Sequence, residues 1–291
     1  MSSNCKVHFA GGDNDPAVIS VLRCCDVRYR LFTAYPFIKT EKSSYRVKSL
    51  SELQARFSHV IIDSGLFTLM FGAQKGKAFD KNDMRSWMKR IVTFAADNKI
   101  NDASFVECDC QKIIGAAKAW DIRREMRELM DGREVINVFH IEDGQDGFEQ
   151  LVEFSDYLAI SVPELRIHKP GQYKNMVTAL VRKARSHKPD IKIHLLGCTE
   201  RKLLVDNKNV TSADSSSWLA PVRYGSLMQY RTNNLKAEFK NEAAALVIAK
   251  SQELGFEIKN PTAIGKKTIA MNYLSAGYCL SNYRKWCGSQ E

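Results

Sequence analysis

Hydrophobic and polar positions along this chain alternate between two rhythms. Short runs rich in Val, Ile, Phe and Leu end in Gly, Asp or Ser: KVHFAGG from Lys6, HVIIDSG from His59, ASFVECD from Ala103, VINVFHIED from Val135, DYLAISV from Asp156, KIHLLGC from Lys192 and NVTSADS from Asn209. Apolar runs closed by turn-forming residues predict strands. Between them the apolar residues fall at helical spacing, most clearly at Met84, Trp87, Met88, Ile91, Val92 and Ala95, and again over Ile113–Met130 and Met176–Ala184. Strands alternating with helices predict a parallel sheet. Seven such units, with an eighth expected near Arg223–Tyr230, point to the α/β class and a closed TIM-like (β/α)8 barrel. An open doubly wound sheet is the alternative. Gly11-Gly12 is followed by Asp13 and forms no G-x-G-x-x-G, which counts against a dinucleotide-binding sheet.

Two stretches break the rhythm. Phe32–Leu50 is rich in Lys and Arg and reads as an insertion between the first two clear strands. Beyond Ser226 the pattern is helical: Lys240–Leu254, then Thr262–Trp286 with a break expected at Gly277. The division that follows is a barrel over residues 1–230 and a helical extension over 231–291, packed on the barrel with no zinc subdomain.

Composition narrows the class. With 44% hydrophobic and 26% charged residues, the 291-residue chain can bury a large core. The net charge of +10 favours a polyanionic partner, because each Lys or Arg set beside a phosphate releases condensed counterions. Ten Lys/Arg against five Asp/Glu lie from Arg223 onward, so half of the excess sits in the last quarter. Eight cysteines follow no disulfide spacing and several lie inside apolar runs, which suits a reducing cytosol and buried thiols. The start MSSNCKVHFAGG has no long apolar core of a signal peptide, and no run is long enough to span a membrane. The expectation is a cytoplasmic protein.

In parallel barrels the chemistry gathers at the C-terminal ends of the strands. Asp63, Asp109, the Glu142-Asp143 pair and Asp214 all end predicted strands. Carboxylates converging on one mouth raise each other's pKa, a cost that chemistry repays, either as a metal cage or as a division between nucleophile and acid/base. Capping of the following helices is the structural alternative for each one alone. No H-x-H, H-E-x-x-H or C-x-x-C supports a metal, and no cofactor is expected. Asp13 and Asp15 form a D-x-D that could hold Mg²⁺, though an Asp before Pro16 suits a helix cap better. The serines of TSADSSSW lack a G-x-S-x-G elbow and read as loop hydrogen-bonding residues.

Taken in order, these segments resemble the tRNA-guanine transglycosylases over residues 57–225. IIDSGLFTLMFG resembles the family's D-S-G-G-F-Q signature, with Leu66 at the second glycine. FVECDCQ resembles the strand carrying the base-recognising Asp. VFHIEDG and DYLAISVPEL resemble the strands lining the base pocket. KIHLLGCTERKLL resembles the H-x-L-G segment, and NVTSADSSSWLAPVR the segment with the nucleophilic Asp. The resemblance implies Asp214 as nucleophile and Asp63 as general acid/base. It implies Asp109 for the purine edge, with Glu107 as its rival. His140, Glu142 and Asp143 compete for the family's pocket Gln. Ser161 and Val162 stand for the glycines that offer backbone contacts to the base, and Leu196, followed by Gly197, would pack under the ring.

The tRNA enzymes carry C-x-C-x-x-C and a later His past the nucleophile. Here only Cys279 and Cys287 follow Asp214, and no His follows His194. That combination resembles the DpdA branch, the DNA-modifying relatives of bacteria and bacteriophages. The implied activity is exchange of guanine in DNA for a 7-deazaguanine such as preQ₀, in a bacterial or infected-host cytoplasm, protecting DNA from restriction. A tRNA enzyme without zinc and a non-catalytic nucleic-acid-binding subunit are the alternatives.

Overall fold

The computed structural model describes residues 5–13, 15–39, 57–70, 76–221, 243–258, 267–288 and 290. Eight parallel strands close into a barrel in sequence order: β1 (Lys6–Ala10), β2 (Tyr29–Thr33), β3 (His59–Asp63), β4 (Ala103–Val106), β5 (Glu134–Phe139), β6 (Tyr157–Ser161), β7 (Lys192–Leu196) and β8 (Ser212–Ser215). The ring closes where β1 meets β8, with Lys6 opposite Ser212 and His8 opposite Asp214. The expected TIM-like barrel is the observed one, and the open sheet is excluded.

One strand differs from expectation. The eighth is β2, whose last two residues, Phe32 and Thr33, open the stretch assigned to an insertion; the described strands close the barrel, and 223–230 lies outside the described residues along with most of the remaining insertion. Arg30 hides β2 in the sequence. Its charged side chain is fully buried, donating to Phe9 O at 2.7 Å, to Gly11 O at 2.6 Å and to Asp13 Oδ1 at 2.6 Å. A charge at an apolar position breaks the pattern that marks a strand; here the ion pair and two carbonyls compensate its desolvation.

Side chains alternate across each strand. The inner face carries one apolar cluster, including Leu31, Ile61, Val106, Ile136, Val138 and Ala159. Other inner positions are polar, among them His8, His194 and Asp214. The outer faces meet amphipathic helices: α1 (Pro16–Cys24), α2 (Lys81–Asp97), α3 (Ala116–Leu129), α4 (Gly144–Phe154), α5 (Val162–His168), α6 (Tyr173–His187) and α7 (Arg201–Asp206). Asp15 caps α1 by accepting from Ala17 N and Val18 N, with Pro16 at the first turn, and Asp13 is spent on Arg30. The D-x-D therefore serves structure, as an Asp before Pro favours. The helix expected over Ile113–Met130 is split at Gly115, whose φ of 83° ends a short turn (Gln111–Ile114) before α3 begins.

The C-terminal extension contributes α8 (Ala243–Glu253) and α9 (Lys267–Cys287). Helix α9 packs against α1 and α7, with Tyr273 Oη donating to Cys24 O at 3.1 Å and Tyr283 Oη to Thr199 Oγ1 at 3.0 Å. It runs unbroken through Gly277. A Cβ there would stand 2.5 Å from Phe256 Cε2, so the glycine admits a close-packed ring and does not end the helix. All eight cysteines are free, six of them buried. No helix among the described residues is long and apolar enough to cross a membrane.

Candidate active site

Strand-end residues converge at the C-terminal mouth of the barrel. Asp63 ends β3, and the Gly65 N–H donates to its Oδ1 at 2.9 Å. Gly65 takes φ 72°, and a Cβ there would lie 2.8 Å from Tyr35 N, so this turn requires glycine. Burial pushes Asp63 up to about 7; the neighbouring Asp109 adds to the rise, Asp214 and Asp13 contribute less, and the Gly65 N–H opposes it. A carboxyl near 7 divides its time between acid and base at neutral pH.

Asp214, on β8, is buried and held from β7. The Gly197 N–H donates to its Oδ1 at 2.7 Å, and His194 Nε2 lies 3.1 Å from the same oxygen. A carboxylate only accepts, so Nε2 donates to it, and Nδ1 lies 2.6 Å from Ser212 Oγ on the other side of the ring. Ser212 Oγ lies 2.5 Å from Tyr157 Oη, and burial keeps that phenol protonated and able to donate. A line of hydrogen bonds thus runs from Tyr157 through Ser212 and His194 to Asp214. Gly197 has φ 66° and abuts Pro163, whose Cγ would be 2.7 Å from an added Cβ.

Asp109 follows β4. Its Oδ2 is 3.1 Å from His140 Nε2, and Ser64 Oγ approaches its Oδ1 at 3.5 Å. His140 Nδ1 is 2.8 Å from Glu164 Oε2, and Lys112 Nζ lies 2.7 Å from Glu164 Oε1. Burial disfavours the imidazolium, but the hydrogen bonds and charges of Asp109 and Glu164 outweigh it and raise His140 to about 10. Burial pushes Glu164 the other way from what its partners do; His140 and Lys112 win and hold it below the usual carboxylate range. His140, Glu142 and Glu164 bring ligand atoms within 4.8 Å of one another. The protonated ring and Lys112, which also lies 4.0 Å from Glu142, already supply the positive charge there, so the cluster fits an ion-pair network better than a metal cage.

Other predicted residues separate. Glu107 does not share the face of Asp109. It is buried against α3, where it accepts from Arg123 Nε at 2.8 Å, Arg123 Nη2 at 2.7 Å, Asn137 Nδ2 at 2.7 Å and Val138 N at 2.8 Å. Regular β4 ends at Val106, and backbone contacts from Asp109 N to Glu107 O and from Cys110 N to Cys108 O fold the next residues tightly, so two-residue alternation stops applying. Glu142 is exposed. Asp143 accepts from His140 N at 2.9 Å and from Gln111 Nε2 at 3.3 Å, a positioning role within the network. Ser161 and Leu196 end β6 and β7 on the inner face. The Val162 side chain is buried in the outer core, leaving only its backbone for the mouth.

No family model matches this chain, and no curated protein matches it. Sequence reasoning had given no role to His194 or Phe67, though both lie in the quoted motifs, and had passed over Glu164 and Lys112. His194 carried a signal: it is the polar residue two before Leu196, hence on the same inner face. Phe67 stands four residues past Asp63 with 73% of its surface exposed. An aromatic so open beside a strand-end carboxylate is a candidate stacking surface for a flat ligand.

Proposed function

We propose that this protein is a DNA guanine transglycosylase that replaces guanine by a 7-deazaguanine through a covalent intermediate on Asp214. The observation that carries the reading is the pair of unlike carboxyls at one barrel mouth: Asp63, pushed up to about 7, and Asp214, clamped by Gly197 and His194. Carboxyls in different settings divide nucleophilic and proton-transfer work.

The steps balance as follows. An Asp214 oxygen attacks C1′ of the target nucleotide as the C1′–N9 bond breaks, and protonated Asp63 gives its proton to the departing guanine. The incoming 7-deazaguanine then loses its N9 proton to Asp63, its N9 bonds to C1′, and the Asp214 ester bond breaks. Both carboxyls return to their starting state. Asp109, backed by the His140 imidazolium, faces the N1–H and amino group of guanine. Adenine, with an acceptor at N1, pairs poorly with a carboxylate there. Ser161, the Val162 backbone and Leu196 complete the base pocket. The target base leaves its stack to reach such a mouth. DNA is favoured over tRNA because the sequence past Asp214 lacks the cysteine–histidine set of the tRNA enzymes, and the +10 net charge suits either polyanion.

The test is base exchange in vitro with preQ₀ and guanine-containing DNA or tRNA, followed by digestion and mass analysis of nucleosides. Incorporation into DNA is expected. Incorporation into tRNA alone assigns the protein to the tRNA branch, and no product on either substrate, with preQ₀ or other 7-deazaguanines, overturns the activity.

A further inference from the structure

A second cavity, of about 550 Å³, opens on the flank of the nucleophile. Its near wall includes Gly197, which holds Asp214, and Ser215, which follows Asp214 on β8. Its far wall is α9, which presents Tyr278, Asn282 and Trp286. Their spacing of four places them along one helix face. The volume lies within the range of about 300–1,000 Å³ common to ligand sites.

The charges around it do not cancel. Arg166 on α5 and Arg201 on α7 line the cavity, and among the described residues neither has an ion-pair partner. Glu200 is the one acid among the lining residues, and it is already engaged: Tyr173 Oη donates to it at 2.5 Å and Lys174 forms an ion pair with it. Two guanidiniums with no ion-pair partner among the described residues and a half-buried indole form a surface for a phosphate attached to a flat ring.

We propose that this cavity holds the nucleotide next to the target in the same strand, its phosphodiester bound by Arg166 and Arg201 and its base resting against Trp286. The proposal builds on the transglycosylase reading and adds a site that the chemistry of exchange does not itself require. It explains why the C-terminal helix packs beside the β7–β8 end of the mouth. A nucleobase exchanged by such an enzyme is then selected within a strand and not as a free nucleoside.

The experiment is fluorescence anisotropy of the full chain with a labelled single-stranded oligodeoxynucleotide holding one guanine. The double variant Arg166→Gln/Arg201→Gln is expected to bind at least tenfold more weakly, with its salt slope reduced by about 0.7, the loss of one single-strand phosphate contact. Replacing one phosphodiester beside the guanine by a neutral methylphosphonate is expected to weaken the wild type and leave the double variant unchanged. Equal affinity and slope for wild type and variant would overturn the subsite while leaving the transglycosylase reading intact. So would equal weakening of both by the neutral linkage. Guanosine monophosphate binding as tightly as the oligonucleotide, with the same dependence on the two arginines, would replace the strand by a mononucleotide. A wild type that binds no oligonucleotide at low salt would remove both readings together.

Discussion

Asp63 and Asp214 differ in what surrounds them, and that difference is testable residue by residue. Asp214→Ala is expected to abolish covalent trapping on nucleic acid, read as a shifted band under denaturing conditions; a persisting adduct would move the nucleophile elsewhere. Asp63→Asn is expected to lower kcat/KM by about 10²–10⁴, the usual range for a lost acid/base, and to erase an inflection near pH 7 in the wild-type profile. The same substitution has an opposite effect on stability. The folded pKa of Asp63 is raised, so its contribution is present below the unfolded value of about 3.9 and is lost as pH rises through about 7. Asp63→Asn should therefore raise Tm at pH 8 and change it little at pH 4, where the folded carboxyl is as neutral as the amide. At this scale the sequence was readable for the positions of Asp63 and Asp214 at or beside their strand ends and of Asp109 just past one. It was unreadable at Glu107, because nothing local announces that β4 stops one residue earlier. It was unreadable again at Glu164, whose role depends on His140 from another strand.

Elements hold these side chains in place through backbone as much as through side chains. The turn after β7 gives its N–H to Asp214 only because Gly197 adopts a left-handed conformation with no Cβ to strike Pro163. Gly197→Ala is expected to cost about 1 kcal/mol or more in stability and to reduce exchange at saturating substrate, checked by urea denaturation and by kcat. Unchanged kcat would mean that the N–H does not orient the nucleophile. Periodicity made most elements legible: seven of the eight strands and the main helices followed from it. Strand β2 escaped because Arg30 occupies a buried outward position, and the pattern could not show that Asp13 would neutralise it. Gly277 misled for the opposite reason. A glycine that usually weakens a helix here admits the ring of Phe256, a tertiary fact with no local trace.

Across the whole molecule, a second histidine network separates stability from chemistry. His8 Nε2 lies 3.0 Å from His59 Nδ1, and His59 Nε2 lies 3.1 Å from Ser104 Oγ, which bonds Glu134. Burial lowers both rings; the charge of His59 lowers His8 further, and the Lys6 ammonium lowers His59 further, to about 4. Their contribution is present above the unfolded value of about 6.5 and is lost as pH falls through the folded one. The Tm difference between wild type and His59→Gln should therefore narrow between pH 6.5 and pH 4, measured by calorimetry. A constant difference would mean that the ring is not held neutral in the fold.

Closure of the barrel carries a further consequence. Strand β8 joins β1 across more than 200 residues, and Asp214 lies on that closing strand. Contacts so distant in sequence form late, since the chain between them must be ordered first. During synthesis, β3 and β4 with Asp63 and Asp109 leave the ribosome well before β8. A nascent or truncated chain thus holds Asp63 and Asp109 without Asp214, and the three carboxyls share one mouth only when the last strand locks the ring.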